Sequence, residues 1–154
     1  MKKSKAEKRA LRKAKRAERK KFKKLRKEKF NELVSAASKA DFDFNPEDES
    51  LKFTDVFNQV WPVLKPGLEY AELIRITGPK ADKILRTVID LGQRIFTGDA
   101  SEEEQTRFLT YLDSIWDIVE KVLEILKTFT NEKTDDVIDQ VIEIGEWITD
   151  NEEE

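Results

Sequence analysis

Between Ser4 and Ala40 the chain contains neither glycine nor proline, and Ala, Lys, Arg, Glu and Leu make up most of the run. These are the strongest helix formers, losing little rotamer freedom in a helix, so the stretch is suited to one long α-helix and to little else. An eleven-residue repeat sets its register: Leu11, Phe22 and Leu33 share one phase, Ala14, Leu25 and Ala36 a second, and Glu7 and Glu18 a third. Eleven residues in three turns is about 3.67 per turn, so these positions form a narrow stripe nearly parallel to the helix axis. The remaining circumference is almost entirely cationic.

Charge is segregated along the chain. The first thirty residues hold 17 of the 29 Lys and Arg but 3 of the 32 Asp and Glu, a balance of +14, and residues 31–154 carry −17. The formal net charge of −3 therefore describes neither part. Such a front end seeks polyanions, while the back end repels them or meets something basic. Like charges at i,i+4 oppose the helix when the arm is free, and neutralisation by a polyanion favours it.

The length suits one domain and an arm, with about 110 residues left to build a core. Four segments are expected: a basic helical arm over 1–40, an acidic hinge over 41–50, an α-helical body over 51–149 and an acidic tail over 150–154. Asn45-Pro46 reads as a cap and first-turn pair, opening a second helix from about Pro46 to Trp61 with Phe53, Val56, Phe57 and Val60 on one face. Pro62 is expected to bend or end it, and Pro66-Gly67 to open a third through Leu68, Ala71, Leu73, Ile74 and Ile76. Gly78-Pro79 punctuates the chain before a fourth helix over Lys80 to Phe96, which Gly98 closes. Ser101 and Glu104 spell a capping box ahead of the longest body helix, with Phe108, Leu112, Ile115, Trp116, Val119, Val122, Leu123, Leu126 and Phe129 at three- and four-residue steps. A last helix carries Val137, Ile138, Val141, Ile142, Gly145 and Ile148. No period-two alternation appears, so the fold class is all-α: a long basic N-terminal helix followed by a small four- to five-helix bundle, with short connections favouring antiparallel neighbours.

The chain has no cysteine and no histidine. Disulfides, thiolate nucleophiles, zinc-finger ligand sets and the usual triad base are all removed, and a non-enzymatic protein with no cofactor and no metal is expected. The run Asp41-Phe-Asp43-Phe-Asn45 alternates oxygen ligands as an EF-hand loop does, but Pro46 stands where glycine is needed and Lys52 where a bidentate glutamate is needed. A cap-forming linker is the better reading, pinned to the body by Phe42 and Phe44. Glu102 to Glu104 and Asp135-Asp136 fall at helix N-termini, where the macrodipole favours negative charge without any chemistry. Gly78-Pro79-Lys80 lacks the spacing of a phosphate loop. Trp61, Trp116 and Trp147 lie among aliphatic residues at helical spacing and belong to a core or an interface. Gly92 and Gly145, inside helical patterns, suggest close helix approach.

Function is therefore sought in the arm. Lys5, Lys8, Arg9, Arg12, Lys13, Lys15, Arg16, Arg19, Lys20, Lys23, Lys24, Arg26 and Lys27 are the candidate phosphate contacts for DNA or RNA, binding by counterion release with a steep salt dependence and little base preference. Leu11, Phe22, Leu25, Phe30 and Leu33, with Trp147 at the other end, are the candidate interface for a protein partner, which includes a second copy of the chain. An anionic membrane surface ranks below nucleic acid, because residues 1–21 offer only Met1, Leu11 and several alanines for insertion. The most apolar window, Ile115 to Phe129, is interrupted by Asp117, Glu120, Lys121, Glu124 and Lys127 and reads as a surface helix, not a membrane span. With no apolar stretch behind the basic run to make a secretory signal, the expected location is the cytoplasm or a particle assembled there, such as a virion. The body is expected to anchor in that larger assembly. The alternative is an interaction module whose N-terminal helix docks on an acidic partner protein or an anionic membrane surface.

Overall fold

A computed structural model describes residues 4–74 and 78–150 and places five α-helices along them. These are α1 (Lys5–Lys39), α2 (Phe53–Ile74), α3 (Gly78–Thr97), α4 (Glu102–Lys127) and α5 (Glu132–Asp150), with no strand among the described residues. The all-α bundle expected from the sequence is the fold. Met1, Ile76 and the tail from Asn151 to Glu154 lie outside the described residues.

Helix α2 is the hub, packing against each of the other four helices, while α5 closes the bundle against α1. Two expectations about this region are corrected. The segment after Pro46 is not helical. Asp48 N–H donates to the Asn45 carbonyl at 3.0 Å, and the Asp48 carboxylate accepts from both the backbone N–H and the hydroxyl of Ser50 at 3.0 and 2.7 Å. These local side-chain bonds give the backbone an alternative to a helix, so α2 begins only at Phe53.

Nor does the helix break at Pro62. It continues through Pro62 and Pro66 to Ile74 as one element. Each proline removes one helical hydrogen bond, but Val56, Phe57, Val60 and Trp61 before Pro62, Val63 and Leu64 between the prolines, and Leu68 and Ala71 after Pro66 are all buried against the other helices. Tertiary burial on both sides outweighs the lost bonds. Pro62 and Asn58 are exposed, so water can satisfy the Asn58 carbonyl that Pro62 orphans. Replacing Pro62 by alanine should therefore stabilise the bundle by about 1–2 kcal/mol, read as a rise of a few degrees in the circular-dichroism melting midpoint.

The core centres on stacked and edge-on rings. Phe57 stacks on Trp61 at 5.2 Å, and Phe108 of α4 meets Phe57 edge-on at 5.4 Å. The Trp61 indole N–H donates to Gln93 Oε1 at 3.2 Å. Gly92 of α3 lies directly under the Trp61 ring and Gly145 of α5 under the Trp116 ring, so each glycine seats an indole where a methyl group would overlap it. Gly98, at φ +83°, ends α3 in the left-handed region that favours glycine.

The boundary between arm and body also moves. Leu33 and Ala37 are fully buried, and Phe30, Ala36 and Ala40 pack against the core, so the second half of α1 is a bundle helix. Lys29 Nζ bridges to Glu69 of α2 at 3.0 Å. Partial burial works against the Lys29 charge, but hydrogen bonds and charge from Glu69 and then Glu32 outweigh it and raise its pKa above the usual lysine value. The linker after α1 is pinned, as expected: Gln59 Oε1 accepts from Asp43 N–H at 2.6 Å, and Phe44 meets Trp147 edge-on at 5.7 Å.

Candidate nucleic-acid interface

What remains free of the bundle is the front half of α1. Every residue from Ser4 to Lys21 is solvent-exposed. At about 1.5 Å per residue, this half projects roughly 25 Å beyond the body. Its start is fixed by a capping box: the Ser4 hydroxyl accepts from Glu7 N–H at 3.2 Å, and Glu7 Oε2 accepts from Ser4 N–H at 3.3 Å. Serine and glutamate three residues apart signal that box in the sequence, and the reading above missed it. Ten of the seventeen residues from Lys5 to Lys21 are Lys or Arg and two, Glu7 and Glu18, are acidic.

Continuity of the helix gives these cations an order. Lys5, Arg9, Arg12, Arg16, Lys20, Lys23 and Lys27 follow one another at steps of three and four, so they share one face. Glu7, Glu18 and Leu11 fall on the other side of the cylinder, in phase with the residues that dock the second half. The cationic ladder is about 33 Å long, close to one turn of a DNA duplex. Lys8, Lys13, Lys15 and Arg19 are exposed around its flanks; Lys24 is exposed and Arg26 half-buried on the docked half.

The candidate partner residues separate into two groups. Leu11 is 41% exposed and lies on the projecting half. Phe22 and Leu25 are half-buried; Phe22 lines a groove with Glu72, Leu73 and Arg86 of the bundle. Phe30 packs on the core, and Leu33, expected to face a partner, is wholly internal. The expectation is corrected there: the stripe from Phe22 to Leu33 meets the chain's own α2, whose apolar face needs that cover. Trp147, half-buried, leans on Phe44 of the linker.

One set of residues escaped the sequence reading. Phe129, in the turn after α4, is 69% exposed. It shares a cleft of about 310 Å³ with Tyr70 of α2 and with Lys23, Arg26, Lys27 and Phe30 of α1. At the sequence level Phe129 merely continued the α4 periodicity, and only the docking of α1 beside the α4–α5 turn brings cations to it.

The rest of the surface has the opposite sign. Asp113, Asp117 and Glu124 on α4 and Asp136, Asp139 and Glu143 on α5 are exposed, so the body repels what the arm attracts. Glu104 is occupied as a cap and as the partner of Arg94 at 2.9 Å, and Asp135 accepts from the Thr130 hydroxyl. A cleft of about 870 Å³ lies between α1, the linker and α2. Its ionisable residues Glu28, Glu32, Lys39 and Asp41 carry both signs and are exposed, the character of a solvated crease. Among the described residues no cluster of three or more acidic side chains is arranged to hold a metal ion, and no helix is long and apolar enough to cross a membrane. Comparison with family models, curated proteins and solved structures returned no match.

Proposed function

We propose that this is a non-enzymatic structural or accessory protein whose projecting helix binds nucleic-acid phosphates without sequence specificity. The acidic bundle anchors in a larger assembly, such as a virion or another nucleoprotein particle formed in the cytoplasm. The observation that supports this reading is what the projecting half lacks. Once the stripe from Phe22 to Leu33 is consumed by the bundle, Leu11 is the only large apolar residue between Ser4 and Lys21. A helix that docks in a protein groove presents several apolar anchors, and one that enters a bilayer presents a broad apolar face. A rod of cations with a single leucine is suited to a polymer of phosphates, where each contact releases condensed counterions.

Titrating the full chain against random-sequence DNA and RNA over a salt series tests this. With about 6–10 phosphate contacts, the slope of log K against log salt should fall near −5 to −9 on duplex DNA, and different sequences should give the same line. Absence of binding at low salt, or a flat salt response, would sink the proposal.

A further inference from the structure

We infer that the cleft around Phe129 is a stacking site for an unpaired nucleobase, so that the protein prefers single-stranded nucleic acid to duplex. The inference deepens the phosphate reading and rests on it. Among the described residues Phe129 is the most exposed large hydrophobic side chain, at 69%, and its ring is placed in water where a buried position would be favourable. Tyr70 and Phe30 supply two further rings in the same cleft, and Lys23, Arg26 and Lys27 surround them. A ligand that satisfies both halves of this lining is flat, apolar on its faces and attached to anions.

A nucleotide whose base is out of its stack has that chemistry. Its base can lie on the Phe129 ring, since every base offers a π-face. Its phosphate can meet Arg26, whose planar guanidinium both forks onto phosphate oxygens and stacks on rings. Duplex DNA keeps its base faces buried in the stack and can use only the cations. The cationic ladder supplies continuity: Lys23 and Lys27 are its last rungs and also line the cleft. A strand whose phosphates follow the projecting helix toward the body is therefore delivered to Phe129. The acidic faces of α4 and α5 beyond the turn discourage it from going further.

The test uses the full chain and a mixed-sequence oligonucleotide of about twenty nucleotides, single-stranded and as its duplex, each carrying a fluorescent label for anisotropy. Duplex binding reads the ladder, and the difference between single strand and duplex reads the cleft. F129A should weaken single-strand binding about 5- to 150-fold, the range of losing one base–aromatic stack, while leaving duplex affinity and the salt slope unchanged. F129W should retain the preference, and 2-aminopurine in the single strand should be quenched by the parent protein and not by F129A. Phe129 is exposed, so the melting midpoint of F129A should match that of the parent. Equal affinities of parent and F129A for the single strand, or equal losses on single strand and duplex, would overturn the stacking site. The cleft would then be an apolar contact for a protein, with the phosphate reading intact. Failure of the parent to bind either polymer would defeat the phosphate reading and the stacking site together.

Discussion

Deleting residues 1–21 should sharply weaken polyanion binding and leave the melting midpoint of the bundle within about 2 °C of the full chain, whereas deleting residues 1–40 should leave a body that does not fold. The two cuts differ by eighteen residues of a single helix and its cap, and their consequences differ because only the second removes buried surface. Residues 4–21 are exposed throughout, so the first cut takes away charge and helix but no core contact. Losing twelve cations should weaken binding to nucleic acid on the order of a hundredfold or more at low salt. The second cut also removes Leu33 and Ala37, both fully buried, and strips α2 of the cover supplied by Phe30 and Ala36. Truncating one buried leucine to alanine costs about 2–5 kcal/mol, and a whole domain is stable by about 5–15 kcal/mol. Circular-dichroism melts of both truncations, with binding measured on whichever folds, check the prediction. A cooperative, near-native melt for the chain starting at residue 41 would contradict the division of α1 described here.

The double substitution Gly92→Ala with Gly145→Ala should destabilise the protein by about 2–6 kcal/mol, although helix propensity alone argues the reverse. In an open helix each change gains roughly 0.5–1 kcal/mol. Here a Cβ at either position would fall inside an indole ring, that of Trp61 against Gly92 and that of Trp116 against Gly145. Both rings are buried, so neither can swing into solvent, and helix or ring must shift. Overpacking of this kind costs about 1–3 kcal/mol per site, and sites without shared partners add. Urea denaturation of the two single variants and the double variant would measure the sign directly. A gain in stability would show that the indoles are loosely held. Gly67 offers the contrast, because its added methyl would meet the Leu123 side chain at 3.2 Å, a flexible neighbour able to give way.

The sequence was legible where one local force had no competitor. Helix α1 follows from uninterrupted helix formers, and α4 from a capping box followed by an apolar stripe, and both stand where the pattern put them. The prolines of α2 misled because their local cost is visible in the chain, whereas the burial that outweighs it depends on four other helices. The arm misled differently. Leu33 has the same spacing whether it covers a stranger or its own bundle, so periodicity alone could not say where the free part ended. The ladder of cations could be counted from sequence, but its meeting with Phe129 and Tyr70 required the third dimension, since more than forty positions separate each of these residues from Lys27, the last rung. The two glycines invited a reading of helices in close approach. What lies against them is the flat of an indole, a pairing that no fixed sequence spacing encodes.

Because α1 runs from Lys5 to Lys39 without a break, it is also a lever. Its free length is about 25 Å and its seated length about 27 Å, so a sideways pull at the tip is met with a mechanical advantage near one. The fulcrum lies near Phe22, and the opposing load falls on the seat of Leu33 and Ala37 rather than on a pliant joint. Tension in whatever the arm holds is thus transmitted as torque into the wall of the bundle, and the direction of the pull is transmitted with it.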